Sequence, residues 1–181
     1  MTCFLSGGAK NGKSTLAQNL AVALSGEGKR YYVATMIPVD EEDRERIRRH
    51  IADRAGLGFE TLECGRDILA CLNGADLNGT FLIDSATALL QNALFPAEKG
   101  YRMDPDAARK CGDDLIAFVG RVHNAVVVSD YLYSDAARYD EATETYRRCL
   151  ADIDRSLAQA CDTVIEVSAG NNIVHKGVMP I

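Results

Sequence analysis

Short apolar runs alternate with longer amphipathic stretches along this 181-residue chain. Several runs, such as Phe81-Leu82-Ile83 and Val126-Val127-Val128, are apolar at consecutive positions, which suits strands covered by helices on both faces. We therefore predict strands over Cys3–Ser6, Tyr31–Thr35, Phe59–Glu63, Thr80–Asp84, Ala125–Ser129 and Thr163–Ser168, with a short edge strand at Ile173–His175.

Between these runs, apolar residues recur with helical spacing. Alternating strands and helices indicate an α/β fold with a mainly parallel central sheet flanked by helices. No repeat, linker or low-complexity stretch interrupts the pattern, so we expect a single domain over residues 1–181. The predicted helices are Lys13–Ser25, Glu41–Ala55, Asp67–Leu72, Thr87–Leu94, Pro105–Val122 and Asp140–Ala160, and Phe95–Asp104 is predicted to be a loop.

The composition argues against a nucleic-acid-binding protein and against a membrane-spanning one. The chain is 47% hydrophobic and 25% charged with a formal net charge of −6, a balance that fills a core but lacks the basic excess of a nucleic-acid-binding protein. No apolar stretch approaches the roughly 18 residues of a membrane helix, and the N-terminus lacks a basic leader. We expect a cytoplasmic protein whose six cysteines, with no C-x-x-C spacing, are separate thiols.

The first predicted strand runs directly into a glycine-rich segment, and a predicted helix follows. The segment fits the pattern G-x-x-x-x-G-K-S/T, in which glycines allow a tight turn of inward-facing N–H groups and the helix N-terminus attracts phosphate. This context predicts a site for a nucleoside triphosphate (GTP, ATP or both) and Mg²⁺, with Lys13 at the outer phosphates and Ser14 as a metal ligand. The phosphate-binding residues are predicted to be Gly7, Gly8, Ala9, Lys10, Asn11, Gly12, Lys13, Ser14 and Thr15.

A second metal ligand is predicted at the end of the fourth strand. Asp84 closes the run Phe81-Leu82-Ile83, at the sheet edge where α/β proteins bind ligands. The alternative is that Asp84 only caps the next helix. Asp130, which ends the following strand, is a weaker competitor for the same role.

The helix predicted after the second strand is acidic at its start and basic in its later turns. Ile47 and Ile51 mark its expected buried stripe, and His50 lies one turn from both Arg46 and Arg54. A solvated charged face is one interpretation. A histidine beside guanidinium groups is also suited to phosphoryl or nucleotidyl transfer. These residues alone leave both interpretations open.

The order of these segments resembles one family throughout nearly the whole chain. It is similar to the bifunctional adenosylcobinamide kinase/adenosylcobinamide-phosphate guanylyltransferase family of cobalamin biosynthesis. The resemblance rests on the glycine-rich loop at 7–14, Tyr32-Val33-Ala34-Thr35, the segment from Arg46 to Arg54, Glu60-Thr61-Leu62-Glu63, Phe81–Ser85, Val126–Ser129, Val167–Gly170 and Lys176-Gly177.

The resemblance implies a RecA-like P-loop NTPase fold and two reactions. A nucleoside triphosphate phosphorylates the aminopropanol hydroxyl of a cobinamide-type corrinoid, and GTP then donates GMP to that phosphate through a guanylyl-histidine. His50 matches this histidine, and Lys13 would stabilise the charge on the transferring phosphate. Homo-oligomers, usually trimers, are also implied. The guanine-nucleotide site would comprise Ala34, Thr35, Met36, Ile51, Ala52, Asp53, Arg54, Glu63 and Asp84.

The sequence departs from the family pattern after the fifth strand. Family members read Asn-Glu-Val-Gly where this chain has Asp130-Tyr131-Leu132-Tyr133. This segment belongs to the expected acceptor region, so a P-loop kinase for another hydroxylated acceptor is an alternative. A non-catalytic nucleotide-binding regulator is a further alternative, although Lys13, Ser14 and Asp84 are intact. His123 and His175 lack chemical neighbours in sequence and are expected to be structural.

Overall fold

The structure, a computed structural model, describes residues 1–133 and 135–180. A seven-stranded sheet runs through it in the order β3-β2-β4-β5-β1-β6-β7, with every neighbouring pair parallel except the antiparallel pair β6 and β7. The strands are β1 (Thr2–Gly7), β2 (Arg30–Ala34), β3 (Phe59–Glu63), β4 (Thr80–Asp84), β5 (Asn124–Asp130), β6 (Thr163–Ser168) and β7 (Asn171–Lys176).

Helices cover both faces of this sheet, which confirms the predicted α/β fold with a mainly parallel sheet. They are α1 (Lys13–Ser25), α2 (Glu41–Asp53), α3 (Ala86–Leu94), α4 (Pro105–Val119) and α5 (Glu141–Ala160), with short 3₁₀ segments at Ile68–Leu72 and Ala97–Lys99.

Two predicted helices differ from the structure. The segment predicted as a helix over Asp67–Leu72 is a 3₁₀ turn that begins after Asp67, whose φ of 35° is left-handed. The helix predicted to reach Val122 ends at Val119, and Gly120 is its C-cap, with its N–H bonded to the Ile116 and Phe118 carbonyls. In both segments, apolar periodicity did not locate the limits of the α-helix, since apolar residues outside these limits also contribute to the core.

Alternate residues of the buried strands supply two separate cores. This arrangement explains the consecutive apolar positions in the sequence, because both faces of each strand are covered. One core lies under α1 and contains Cys3, Leu5, Leu20, Leu82, Val126 and Val128; the other lies under α3, α4 and α5 and contains Phe4, Phe81, Ile83, Leu90, Leu115, Val127 and Leu150.

The carboxyl ends of the parallel strands meet at one edge of the sheet. In the strand register Gly7 pairs with Asp130, and Ala34 pairs with Asp84. The start of the glycine-rich loop and both candidate acids therefore share the edge at which α/β proteins bind ligands.

The cysteines differ from the expectation that all six are separate thiols. Cys64 and Cys71 form a disulfide, with Cα atoms 6.3 Å apart, rather than remaining separate thiols. The turn that follows β3 brings them together, and their separation of seven residues matches no sequence motif. Cys3, Cys111, Cys149 and Cys161 are free.

The buried stripe predicted for α2 is also wrong. No residue of this helix is buried, and Ile51 is 51% exposed. The helix follows the carboxyl edge of the sheet instead of packing on its face, so its contacts are made by polar side chains.

Helices that could cross a lipid bilayer are absent from the part of the chain that the structure describes.

One carboxylate, Asp154, faces inward from the middle of α5. It is 3% exposed, its Oδ2 accepts a hydrogen bond of 2.9 Å from the Tyr133 hydroxyl, and its Oδ1 has no partner among the described residues. Burial raises the pKa of Asp154 to about 6, against the opposing effect of the Ser129 and Tyr133 hydroxyls and with a further rise from the charge of Asp130.

The close approach of Gly7 to β6 generates a first prediction. A Cβ atom at Gly7 would lie 2.4 Å from the Val167 carbonyl oxygen, whereas the nearest atom to a Cβ at Gly120 would be 3.5 Å away. We expect Gly7→Ala to lower the free energy of unfolding by about 2 kcal/mol, because backbone must shift to relieve the contact. The control Gly120→Ala should change it by no more than about 1 kcal/mol. Urea unfolding measures both values, and equal effects would contradict the observed packing.

The burial of Asp154 generates a second prediction. Its folded pKa of about 6 exceeds the unfolded value of about 3.9, so its contribution to stability is fully present below about pH 4 and is lost as the pH rises to about 6. Asp154→Asn cannot ionise. Its stability relative to the wild type should therefore increase by about 2 kcal/mol between pH 4 and pH 6.5. Urea unfolding at several pH values measures the difference, and a pH-independent difference would contradict the prediction.

Candidate functional site

Two cavities open beside each other at the carboxyl edge of the sheet. The first, here the loop cavity, is about 370 Å³ and contains residues 9–15 of the glycine-rich loop. The second, here the adjacent cavity, is about 540 Å³ and lies between the ends of β2, β3 and β4 and helix α2. Arg46, His50 and Asp84 line both cavities. These side chains therefore stand at the boundary between two spaces that a nucleotide could span.

The glycine-rich loop has the backbone that its sequence predicts. Gly12, with φ of 86°, directly precedes the first residue of α1, and Lys10 is also left-handed with φ of 59°. The Asn11 side-chain amide donates a hydrogen bond of 3.3 Å to the Val167 carbonyl, which ties the loop to β6. The N-terminal N–H groups of α1 consequently face the loop cavity and favour an anion.

Lys13 is held in place by the strand next to the loop. It is 5% exposed, and its Nζ lies 2.6 Å from Asp130 Oδ1 and donates a hydrogen bond of 2.6 Å to the Gly8 carbonyl. Gly8 and Gly7 thus form the base of the loop and do not line the cavity. A bound phosphate would offer Lys13 an alternative anionic partner to Asp130.

Asp84 connects the sheet to α2. Its Oδ2 accepts a hydrogen bond of 2.9 Å from the Tyr32 hydroxyl and lies 3.5 Å from His50 Nδ1. The Tyr32 hydroxyl is also 3.3 Å from the same His50 nitrogen. Burial opposes ionisation of Asp84, but the contacts with His50 and Tyr32 and the charge of Arg46 hold its pKa below the ordinary value. Burial and the neighbouring Asp84 raise the pKa of Tyr32.

The alternative role of Asp84 as a helix cap does not fit the structure. The cap of α3 is the next residue, Ser85, whose Oγ accepts a hydrogen bond of 3.2 Å from the Ala88 N–H. The Asp84 carboxylate is therefore left to face the two cavities.

The arginines near His50 lie on either side of it. The Arg54 guanidinium stacks 4.0 Å from the centre of the Tyr32 ring and donates a hydrogen bond of 3.1 Å to Thr61 Oγ1. Arg46 lines both cavities. This end of α2 is thus fastened to the sheet through Tyr32, by a cation–π contact as well as by the His50 hydrogen bond.

The other predicted nucleotide residues divide into three groups. Thr35 is fully buried and lines neither cavity, because its hydroxyl donates to the Ser85 carbonyl and accepts from the Ser85 N–H. Ile51 and Ala52 are exposed and also lie outside both cavities. Those that do line a cavity are Ala34, Met36, Arg54 and Glu63 in the adjacent cavity and Asp53 in the loop cavity.

Tyr32 is the site residue that sequence reasoning missed. It joins Asp84, His50 and Arg54, yet in the sequence it is one of several aromatic residues in a strand. The alternation of side chains along a strand did indicate Tyr32, because it places Tyr32 on the same face of β2 as Ala34, a predicted site residue.

The loop cavity contains oxygen ligands that fit Mg²⁺. Ser14, Asp84 and Asp130 all line it, and hydroxyl and carboxylate oxygens are the ligands that this ion prefers. Within residues 1–133 and 135–180, no cluster of three His, Cys, Asp or Glu side chains would hold a metal alone. A Mg²⁺ ion bound here would need substrate phosphates and water to complete its coordination.

The fold and the loop together define a P-loop nucleotide-binding protein. A model of the cobinamide kinase/cobinamide phosphate guanyltransferase family (CobU) matches residues 3–174. The chain belongs to this family of enzymes, which have kinase and guanylyltransferase activities and act in cobalamin biosynthesis. A comparison with curated protein sequences found no significant match.

Solved structures with low sequence identity share the fold. A Pyrococcus horikoshii OT3 protein is 10% identical with a TM-score of 0.52, over 98% of this chain and 87% of the other. The flagellar accessory protein FlaH of Methanocaldococcus jannaschii is 16% identical with a TM-score of 0.50, over 99% and 79%. An ATPase from the type III secretion system of pathogenic bacteria is 13% identical with a TM-score of 0.54, over 98% and 58%.

The position of Thr35 generates a third prediction. Thr35→Val keeps the shape of the side chain but leaves the Ser85 N–H without its partner, which should lower the free energy of unfolding by about 1–3 kcal/mol. The control Thr145→Val removes a hydroxyl that accepts from Arg148 at the surface of α5, and should stay within about 0.5 kcal/mol of the wild type. Urea unfolding compares the two. Unchanged stability of Thr35→Val would show that its hydroxyl does not hold the backbone at Ser85.

Proposed function

We propose that this protein phosphorylates the aminopropanol hydroxyl of adenosylcobinamide and then transfers GMP from GTP to the new phosphate through a covalent guanylyl-His50 intermediate. The observation that carries the proposal is the position of His50, which lines the phosphate-binding loop cavity and the adjacent cavity at once. A histidine at this boundary can reach the α-phosphate of a nucleotide whose outer phosphates lie in the loop and whose base lies in the adjacent cavity.

In the kinase reaction, the acceptor oxygen attacks the γ-phosphorus of a nucleoside triphosphate. The bond from that phosphorus to the β-bridging oxygen breaks, the diphosphate leaves, and the acceptor proton passes to solvent or a nearby base. The N–H groups of the loop and the Lys13 ammonium stabilise the negative charge on the transferring group. Ser14 together with Asp84 or Asp130 would hold Mg²⁺, which would supply further positive charge at the phosphates.

In the guanylyl transfer, His50 is the nucleophile. Its Nδ1 faces Asp84 and Tyr32, so a proton on Nδ1 leaves the lone pair of Nε2 free for attack on the α-phosphorus of GTP. The α–β phosphoanhydride bond breaks and pyrophosphate leaves. A phosphate oxygen of the phosphorylated acceptor then attacks the same phosphorus, and the bond to Nε2 breaks.

Charges around His50 suit this exchange. The ionised Asp84 stabilises the positive charge that develops on the imidazole, as a carboxylate does in a catalytic triad. Arg46 lies at the boundary of the two cavities and would neutralise the pentacoordinate phosphate.

The adjacent cavity is suited to a guanine base. It has room for a purine and is lined by apolar side chains such as Ala34 and Met36. Glu63 lies at its edge, and a carboxylate can accept two hydrogen bonds from the N–H groups of guanine, which adenine cannot supply in the same arrangement. This chemistry supports GTP as the guanylyl donor.

The changed segment at Asp130–Tyr133 supports a second candidate, a P-loop kinase acting on another hydroxylated acceptor. Asp130 contacts Lys13, so the departure from the family pattern lies at the reacting phosphate. This candidate retains the nucleotide chemistry and differs from the first in the acceptor.

A labelling experiment tests the intermediate and constitutes a fourth prediction. Purified protein incubated with Mg²⁺ and GTP labelled at the α-phosphate should acquire acid-labile, base-stable label, which a phosphoramidate requires. His50→Ala should acquire none, because the nucleophile is absent. His123→Ala, which removes an exposed histidine outside both cavities, is the matched control and should be labelled like the wild type. If wild-type protein binds GTP but remains unlabelled, the transferase half of the proposal fails.

A further inference from the structure

A third cavity lies on the β6 side of β1, on the opposite side from β4 and β2, whose ends line the adjacent cavity. It is an open groove of about 550 Å³ between α5 and the strands β1, β6 and β7. We call it the tyrosine groove, because Tyr131 and Tyr133 form one wall with ring centres 6.3 Å apart. Phe4 and Val164 contribute apolar surface. No residue of this groove lines either nucleotide cavity.

The tyrosine groove nevertheless reaches the phosphate loop. Ser6 lines it and is followed directly by Gly7, the first residue of the loop. The Tyr131 N–H donates a hydrogen bond of 3.2 Å to the Gly7 carbonyl, and Tyr131 follows Asp130, the partner of Lys13. A molecule in the groove would therefore have one end beside the phosphates.

Two carboxylates, those of Asp154 and Glu166, belong to the polar lining of the groove. Glu166 Oε1 accepts a hydrogen bond of 3.3 Å from the Tyr131 hydroxyl, and Glu166 Oε2 lies 2.8 Å from His175 Nε2. Arg155 is the cationic side chain in the lining. The groove is thus suited to a ligand rich in N–H or O–H donors.

The buried Asp154 is an independent sign of a missing donor. It lines the groove at 3% exposure, with Oδ2 bonded to Tyr133 and Oδ1 lacking a partner in residues 1–133 and 135–180. The Ser129 hydroxyl is near enough to lower the pKa of this carboxylate, but its hydrogen bond is with Thr87 Oγ1, 3.4 Å away, and not with Oδ1. Buried carboxylate oxygens are nearly always paired, so a bound group that donates to Oδ1 would complete the site.

We propose that the tyrosine groove docks the corrinoid acceptor, with primary carboxamide N–H groups of the corrinoid donating to Asp154 and Glu166 and its flat ring system lying against Tyr131 and Tyr133. This inference rests on the proposed function for the identity of the acceptor. Cobinamide has several primary carboxamide arms around a planar macrocycle, which match the acceptors and the aromatic wall. Its aminopropanol arm would extend past Ser6 to the phosphate loop.

One docking position would then serve both reactions. After the hydroxyl is phosphorylated, the new phosphate remains at the loop cavity, which His50 also lines. The phosphate can attack guanylyl-His50 without release of the corrinoid. The acceptor approaches the loop from the β6 side and the guanine nucleotide from the β2 side, so the two substrates do not compete for space.

The test, a fifth prediction, separates acceptor binding from nucleotide chemistry. Glu166→Gln and Asp154→Asn each replace a carboxylate that would receive charge-assisted hydrogen bonds, and we expect each to raise the KM for adenosylcobinamide about tenfold. The KM for the nucleoside triphosphate should change less than about twofold, and α-labelled GTP should still label His50. Asp114→Asn on α4, which lines a separate cavity beside Lys110, is the matched control and should leave both KM values unchanged.

The outcomes distinguish the two proposals. An unchanged KM for adenosylcobinamide in the labelled groove variants would overturn the docking site while leaving the function intact. Wild-type protein that labels His50 but does not turn over adenosylcobinamide would refute the corrinoid as acceptor, and with it this inference. If Asp154→Asn does not fold, the half-exposed Glu166 decides the question alone, with His50 labelling as the measure of folding.

Discussion

The polar contact of Asp84 with Tyr32 and His50 joins the sheet to a helix that has no buried residue. Because α2 contributes nothing to either core, its position relative to the sheet depends on contacts at its later turns. Arg54 adds a second attachment through the Tyr32 ring. Since α2 provides one wall of both the loop cavity and the adjacent cavity, these attachments also determine the shape of the candidate site.

This arrangement has a consequence for nucleotide binding. Lys13 is paired with Asp130 and His50 with Asp84, so each candidate catalytic side chain contacts a carboxylate at the end of a neighbouring strand. A triphosphate with its metal would attract these same groups. We therefore expect binding to exchange protein ion pairs for contacts with phosphate and metal, and α2 to shift more readily than the helices that pack on the cores.

The sequence predicts the elements whose signals are local. The strand, glycine-rich loop and helix at 2–25 follow from an apolar run, a backbone turn and helical periodicity, and each lies where expected. The position of Ile51 was not predictable in the same way, because periodicity indicates an apolar face and not whether anything packs on it. The Cys64–Cys71 pair and the role of Tyr32 depend on strand order and loop path, which no local pattern specifies. The candidate site was therefore predicted in its loop, its acids and its histidine, but not in the tyrosine that joins them.

The segment that departs from the family pattern contacts both the phosphate loop and α5 in the structure. Asp130 pairs with Lys13, Tyr131 bonds to the loop backbone through its N–H, and Tyr133 donates to the buried Asp154. These contacts connect the phosphate loop to the groove beside it. The changed residues thus lie beside the groove in which we propose that the acceptor docks.

In the proposed reaction, Nε2 of His50 carries the nucleotidyl group while Nδ1 faces Asp84 and Tyr32. The most direct measurement is a phosphorus NMR spectrum of the GTP-treated protein, correlated with the imidazole ring protons. We expect one phosphoramidate signal coupled to His50 through Nε2. A signal coupled through Nδ1, or a phosphorus signal on another residue, would contradict the arrangement of the site described above.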